Sequence, residues 1–178
     1  ESFMERSSGH ALSLVEKKKG EPLVPLYIEI QPIRPGWGNS RDNHFYSKEM
    51  LATYGKAIFG EVKMYETDHI PNEYSNRIWV STLVEFLRFT PDGAPVWKAA
   101  IHVQDFAEKV VALNEAKLLH KLECSIVCSG TAKAGEVDGK KGKIILTMEQ
   151  ADSVDWVTRA GAGGRALNIS EGGTSMDG

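Results

Sequence analysis

Three side chains in this sequence have the types that acyl transfer needs: a serine, a histidine and an aspartate, each in a distinctive setting. The stretch Lys121-Leu122-Glu123-Cys124-Ser125-Ile126-Val127-Cys128 follows a long amphipathic segment and opens an apolar, β-branched run. Ser125 therefore falls near the start of a buried strand. Such strands seldom spend an inward position on a hydroxyl without a partner. Ser125 is either a satisfied core serine or a nucleophile. A nucleophilic serine needs an imidazole to take its proton, a group to orient the imidazole, and backbone N–H groups for the oxyanion. His69 stands beside Asp68 in the polar loop Glu66-Thr67-Asp68-His69-Ile70-Pro71-Asn72, at the end of a strand. By composition alone its position suits an exposed loop histidine better than a catalytic one. Asp155 interrupts the apolar run Ser153-Val154-Asp155-Trp156-Val157-Thr158. A carboxylate on a buried strand face must be paired, and a histidine is a natural partner. Strand parity alone also allows Asp155 to face solvent.

Other chemistries find less support. The histidines are His10, His44, His69, His102 and His120, with no pair at helical i, i+4 spacing and no CxxC motif. A metal site from Asp68, His69 and His102 requires folding to bring them together by chance. The glycine-rich cluster 160–164 is followed neither by a helix nor by the Lys-Ser/Thr of a phosphate loop. No cofactor is expected. The net charge of −3 implies no general attraction to nucleic acid. Apolar runs stay well short of the roughly 20 residues of a membrane span. Cys124 and Cys128 share a strand face too far apart to bridge, and read as small buried hydrophobes of a reducing compartment. The start, Glu1 to Arg6, has no apolar h-region and no initiator Met, and reads as a fragment or processed form.

The chain of 178 residues suits one domain. Residues 1–22, with Lys17-Lys18-Lys19, read as an arm. A strand follows over 22–30, a turn-rich loop over 32–43, and a short helix over 47–54 capped by Ser47. Strands are expected at 57–65, 77–89 and 96–103, the last two a hairpin about Thr90-Pro91-Asp92-Gly93. Apolar spacing at Phe106, Val110, Val111, Leu113, Leu118 and Leu119 predicts a helix over 105–120. Strands at 123–131, 143–148 and 153–158 follow, with a turn over 134–142. From Arg159 the chain is Gly/Ala/Ser-rich. The sum is an α+β, β-rich fold: a small antiparallel β-barrel of about seven strands flanked by helices. The domain is expected over 23–166, with a tail over 167–178.

Thr67-Asp68-His69 after a strand, Leu122-Glu123-Cys124-Ser125-Ile126 after a helix, and Ser153-Val154-Asp155-Trp156-Val157-Thr158-Arg159-Ala160-Gly161-Ala162-Gly163-Gly164 come in an order that resembles the tailed-bacteriophage prohead (procapsid maturation) serine proteases. These are similar in turn to the herpesvirus assemblins. The resemblance spans roughly residues 26–166. It implies an assemblin-like barrel and a serine endopeptidase acting inside the assembling prohead, in the host cytoplasm. Its partners are scaffold/core and major capsid proteins as substrates, with a homo-oligomer as a further expectation; nucleic acid and membrane are not among them. Ser125 is then the nucleophile and His69 the general base. Asp155 best matches the acidic position, with Asp152 and Glu149 as alternates. Assemblins use a second histidine; His102 is the nearest imitation, but it precedes the serine. Gly161 to Arg165 occupy the place of the loop that supplies the oxyanion N–H, so Gly161, Gly163, Gly164 and Arg165 are the candidates. Related phage enzymes cleave after glutamate, and Phe3-Met4-Glu5 and Ile169-Ser170-Glu171 match that pattern as autocleavage sites. A protease of this kind is expected to be self-blocked outside the prohead. The competing readings are a non-catalytic capsid scaffold component of the same fold and a metal-dependent hydrolase.

Overall fold

The computed structural model describes residues 21–69 and 74–170. Its strands are β1 (Leu26–Gln31), β2 (Gly36–Trp37), β3 (His44–Tyr46), β4 (Lys63–Tyr65), β5 (Trp79–Phe89), β6 (Pro95–Ile101), β7 (Glu123–Val137), β8 (Lys140–Val157) and β9 (Gly164–Ser170). They join one nine-stranded sheet in the order β2-β3-β8-β7-β9-β1-β6-β5-β4. All pairings are antiparallel except β3 with β8. Two helices accompany it, α1 (Lys48–Tyr54) and α2 (Gln104–Glu115).

The core follows from alternation. Leu26, Ile28 and Ile30 of β1 are buried on one face. β5 and β6 form the expected hairpin, and Trp97 of β6 packs edge-on against Phe59 and Phe86. α2 buries Phe106, Ala107 and Val110, one helical stripe. The Phe106 ring lies 5.4 Å from that of Trp156, which ties α2 to β8. α1 begins as its sequence predicts: the Ser47 hydroxyl accepts from the Met50 amide at 3.1 Å.

The fold differs from the expected one in five respects. Among the described residues the sheet does not close into a barrel, and the fold is mostly β, with two helices rather than a flanking ring. The 57–65 strand shrinks to three residues, because 55–61 turn back on themselves. An edge that short cannot carry a full ladder to β8, and only an isolated parallel bridge, Glu66 to Trp156, joins them. Second, the expected 134–142 turn contracts to Asp138-Gly139, both with positive φ (51° and 79°). That is the hairpin turn Asp-Gly favours, and it leaves the flanking residues free to pair. The 143–148 and 153–158 strands therefore fuse into one 18-residue β8. Third, the helix expected to reach 120 stops at Glu115; Lys117 turns out at φ 59°, and Leu119–Lys121 make a separate 3-10 turn. Fourth, residues assigned to a soft tail form β9, between β7 and β1 in the middle of the sheet. Leu167, Asn168 and Ile169 are buried there. Fifth, the short strands β2 and β3 lie in what reads as loop. The arm, apart from Glu21 and Pro22, lies outside the described residues.

β9 can enter the sheet because Gly164 has no side chain. A Cβ there would collide with the backbone carbonyl oxygens of Cys124 and Pro32. Neither can rotate away. Gly164→Ala is expected to lower stability by about 1–3 kcal/mol through overpacking. Urea unfolding checks this: the midpoint should fall with the slope unchanged, and a wild-type midpoint contradicts the tight approach.

Candidate active site

β8 supplies the acid. Val154 and Trp156 are buried, and the Trp156 indole donates to Ser81 Oγ at 3.0 Å. Alternation turns Asp155 to the opposite face, where it is fully buried. Ser125 is its direct cross-strand partner in β7. Side chains so paired stand on one face with Cβ atoms about 4.5–5.5 Å apart.

The loop after β4 brings the histidine. The Thr67 amide donates to the Trp156 carbonyl at 3.2 Å, so the chain runs alongside the end of β8. The Asp68 carboxylate then accepts from the Thr158 amide at 2.7 Å and the Thr158 hydroxyl at 3.0 Å. Those two hydrogen bonds, the amide first, hold the Asp68 carboxyl below the usual carboxylate range. His69 follows with φ 62°, a backbone region that non-glycine residues seldom occupy. Its Nδ1 lies 2.6 Å from Asp155 Oδ2, and its side chain stays one-third exposed. With Nδ1 turned to the acid, Nε2 is the ring nitrogen left for a serine proton. His69 and Ser125 line one cavity of about 130 Å³, together with Tyr46, Ile126, Gly161 and Ala162 among others.

Of the four oxyanion candidates, Gly161 lines this cavity and the other three do not. The Gly163 carbonyl accepts from Gln31 Nε2 at 2.7 Å. Gly164 and Arg165 already belong to β9 and pair with Cys124 and Glu123. The strand starts earlier than its composition suggests, and that leaves the cavity wall to Gly161 and Ala162.

The alternate acids stand apart from His69. Asp152 is exposed and accepts from Gln150 Nε2 at 2.9 Å; Glu149 is also exposed. His102 packs on Trp79, with ring centroids 4.6 Å apart and Nε2 3.0 Å from the Trp79 carbonyl. Asp68, His69 and His102 thus point to three different partners, and no metal-binding cluster of His, Cys, Asp or Glu forms among the described residues. Both cysteines are free; Cys124 is buried and Cys128 half-buried. Burial, with the Asp152 charge second, pushes the Cys128 thiol up to about 12, and burial pushes Cys124 up as well. Such thiols are poor nucleophiles. Glu5 and Glu171 lie outside the described residues, while Ile169 of the second matching segment is buried in β9.

Sequence reasoning missed Tyr74. Its hydroxyl donates to Asp155 Oδ2 at 3.0 Å and lies 3.5 Å from His69 Nδ1. Its ring packs edge-on against Tyr65 at 5.2 Å. Burial of the hydroxyl, and then the neighbouring Asp155 charge, push its pKa up to about 12, so it stays a donor at neutral pH. No pattern in Glu73-Tyr74-Ser75-Asn76 marks it. Thr158 was more accessible to reasoning, since it closes the Asp-Trp-Val-Thr block. Hydrogen bonds to charged groups contribute about 1.5–3 kcal/mol. Tyr74→Phe is therefore expected to slow turnover on the order of tenfold by loosening the carboxylate, with KM little changed. Steady-state kinetics on a peptide substrate reads this, and an unaltered kcat contradicts a positioning role.

No protein-family model matches the sequence, and no curated protein matches it. Among solved structures, the chain is similar to one described as the bacteriophage T4 capsid assembly protease, gp21, with a TM-score of 0.39 and 15% identity, over 73% of this chain and 81% of that one.

Proposed function

We propose that this chain is a serine endopeptidase with Ser125 as nucleophile, His69 as general base and Asp155 as the orienting acid. One observation carries the reading: a buried Asp155 in contact with His69 Nδ1, with Ser125 directly across the strand pair and in the same cavity as His69. A fully buried carboxylate beside a partly open imidazole, on a loop held in an uncommon backbone conformation, is an arrangement that function explains better than stability.

The chemistry follows from the roles. His69 Nε2 takes the Ser125 Oγ proton as Oγ attacks the scissile carbonyl carbon. Asp155 accepts the Nδ1–H bond and stabilises the imidazolium that forms. The carbonyl electrons move to an oxyanion, for which the backbone N–H groups of the cavity-lining residues Gly161 and Ala162 are the candidate donors. Collapse breaks the C–N bond, and the leaving amine takes the proton from Nε2. Water then hydrolyses the acyl-serine by the same steps in reverse. The order of the His, Ser-Ile and Asp-Trp-Val-Thr motifs supports a role in prohead maturation, with scaffold/core and capsid proteins as substrates and autoprocessing after glutamate.

A fluorophosphonate probe tests the reading without knowledge of the natural substrate. The expected result is a single covalent adduct on Ser125, found by peptide mass spectrometry and greatly diminished in His69→Ala. An adduct elsewhere, or none in protein recovered from assembled proheads, where self-blocking is released, overturns it.

A further inference from the structure

The cavity at Ser125 does not end there. A second one, about 230 Å³, runs along β7 past Cys128, Gly130 and Ala132, and His44 and Tyr46 line both. These two β3 residues belong to the lining of each cavity, so the cavities adjoin. About half of the second chamber's lining is polar: Thr131 Oγ1 and Thr147 Oγ1 lie 2.7 Å apart on it. It also holds one cation, Lys143, which is exposed and has no ion pair among the described residues. The Lys143 amide donates to the Asn43 carbonyl at 2.8 Å, so the register of β3 on β8 fixes where this lysine starts. β7 itself meets β9 only at Glu123 and Cys124. From Ser125 onward no other strand pairs on that side among the described residues, and an extended peptide can lie along it.

We infer that this second chamber is a distal substrate subsite that takes an acidic side chain of the bound polypeptide and pairs it with Lys143. The inference rests on the endopeptidase reading and extends it to specificity away from the scissile bond. Lys143 stands across the strand pair from Ala134, nine residues along β7 from Ser125. At about 3.3 Å per residue that is roughly 30 Å, so the favoured acid sits about seven to nine residues from the cleaved bond. A carboxylate fits because the lining offers hydroxyls and an ammonium, and an unpaired lysine at a cleft end supplies attraction without a buried charge to offset.

The test is a random peptide library digested by the full chain, with new termini identified by mass spectrometry. Wild type should enrich Asp and Glu several-fold at one position seven to nine residues from the cleavage point. Lys143→Ala should flatten that preference, and Lys143→Glu should reverse it toward Lys and Arg, with preferences next to the scissile bond unchanged. Cleavage with no distal acidic preference, or with one that Lys143→Glu leaves intact, overturns the subsite and leaves the endopeptidase standing. Absence of all cleavage is the outcome of a self-blocked free chain, and binding then decides. The same library panned over immobilised Ser125→Ala protein then reads the cleft alone. Enrichment of acidic peptides that is lost on adding Lys143→Glu supports the subsite, and equal enrichment overturns it.

Discussion

Ser125→Ala is expected to lower the rate of peptide cleavage on the order of 10⁶-fold, as loss of the nucleophile does where a triad acts as a unit. The effect should fall on kcat. Ser125 contributes one hydroxyl to a cavity wall that it shares with Tyr46, Ile126, Gly161 and Ala162, so its loss removes little binding surface. The fold should not suffer. Ser125 is only half-buried, and its backbone pairing with Asp155 does not depend on the hydroxyl. A stability change within about 1 kcal/mol is therefore expected, small beside what core truncations cost. The variant isolates chemistry from folding in a way His69→Ala does not, because His69 also partners a buried carboxylate. Cleavage of a scaffold or peptide substrate at an undiminished rate by Ser125→Ala would end the serine-protease reading. Loss of activity together with loss of the cooperative melt would instead show that Ser125 is a core serine.

Local signals in the sequence were reliable where one short interaction decides the outcome. Ser47 caps its helix by a bond three residues away, and the 90–93 turn joins strands adjacent in the chain. Closure of the sheet was not local. It depended on the number of residues β4 could keep in ladder, and the turns over 55–61 settled that. β9 was missed for a related reason. Gly164 reads as flexibility in one dimension, whereas in three it is the absence of a Cβ where two carbonyl oxygens crowd the strand. The candidate site divides in the same way. Asp155 could be singled out because a lone acid in an apolar run demands a partner, and the structure sets His69 there. Tyr74 bears on the same oxygen from a polar loop whose composition carries no periodicity. Its role comes entirely from where the loop lands.

Asp155→Asn should cost on the order of 10⁴ in kcat, far more than Tyr74→Phe, although it changes one atom. The reason lies in how the two carboxylate oxygens are used. Oδ2 accepts from Tyr74 and faces His69 Nδ1, while Oδ1 is buried with no hydrogen-bond partner among the described residues. An asparagine must put its NH₂ group in one of those two places. Placed where Oδ1 was, the amide donor is buried and unpaired, at about 1–3 kcal/mol. Placed where Oδ2 was, it donates to His69 Nδ1 and faces the Tyr74 hydroxyl. Nδ1 then becomes the acceptor, and the ring proton moves to Nε2. That is the tautomer that cannot take a proton from Ser125. The paired orientation of the amide is therefore the unproductive one, and the loss should appear in kcat near neutral pH. A Ser125-directed fluorophosphonate should label the variant slowly for the same reason, while the melt stays cooperative. Activity within tenfold of wild type would show that Asp155 does not set the tautomer, and that its contact with His69 serves the fold alone.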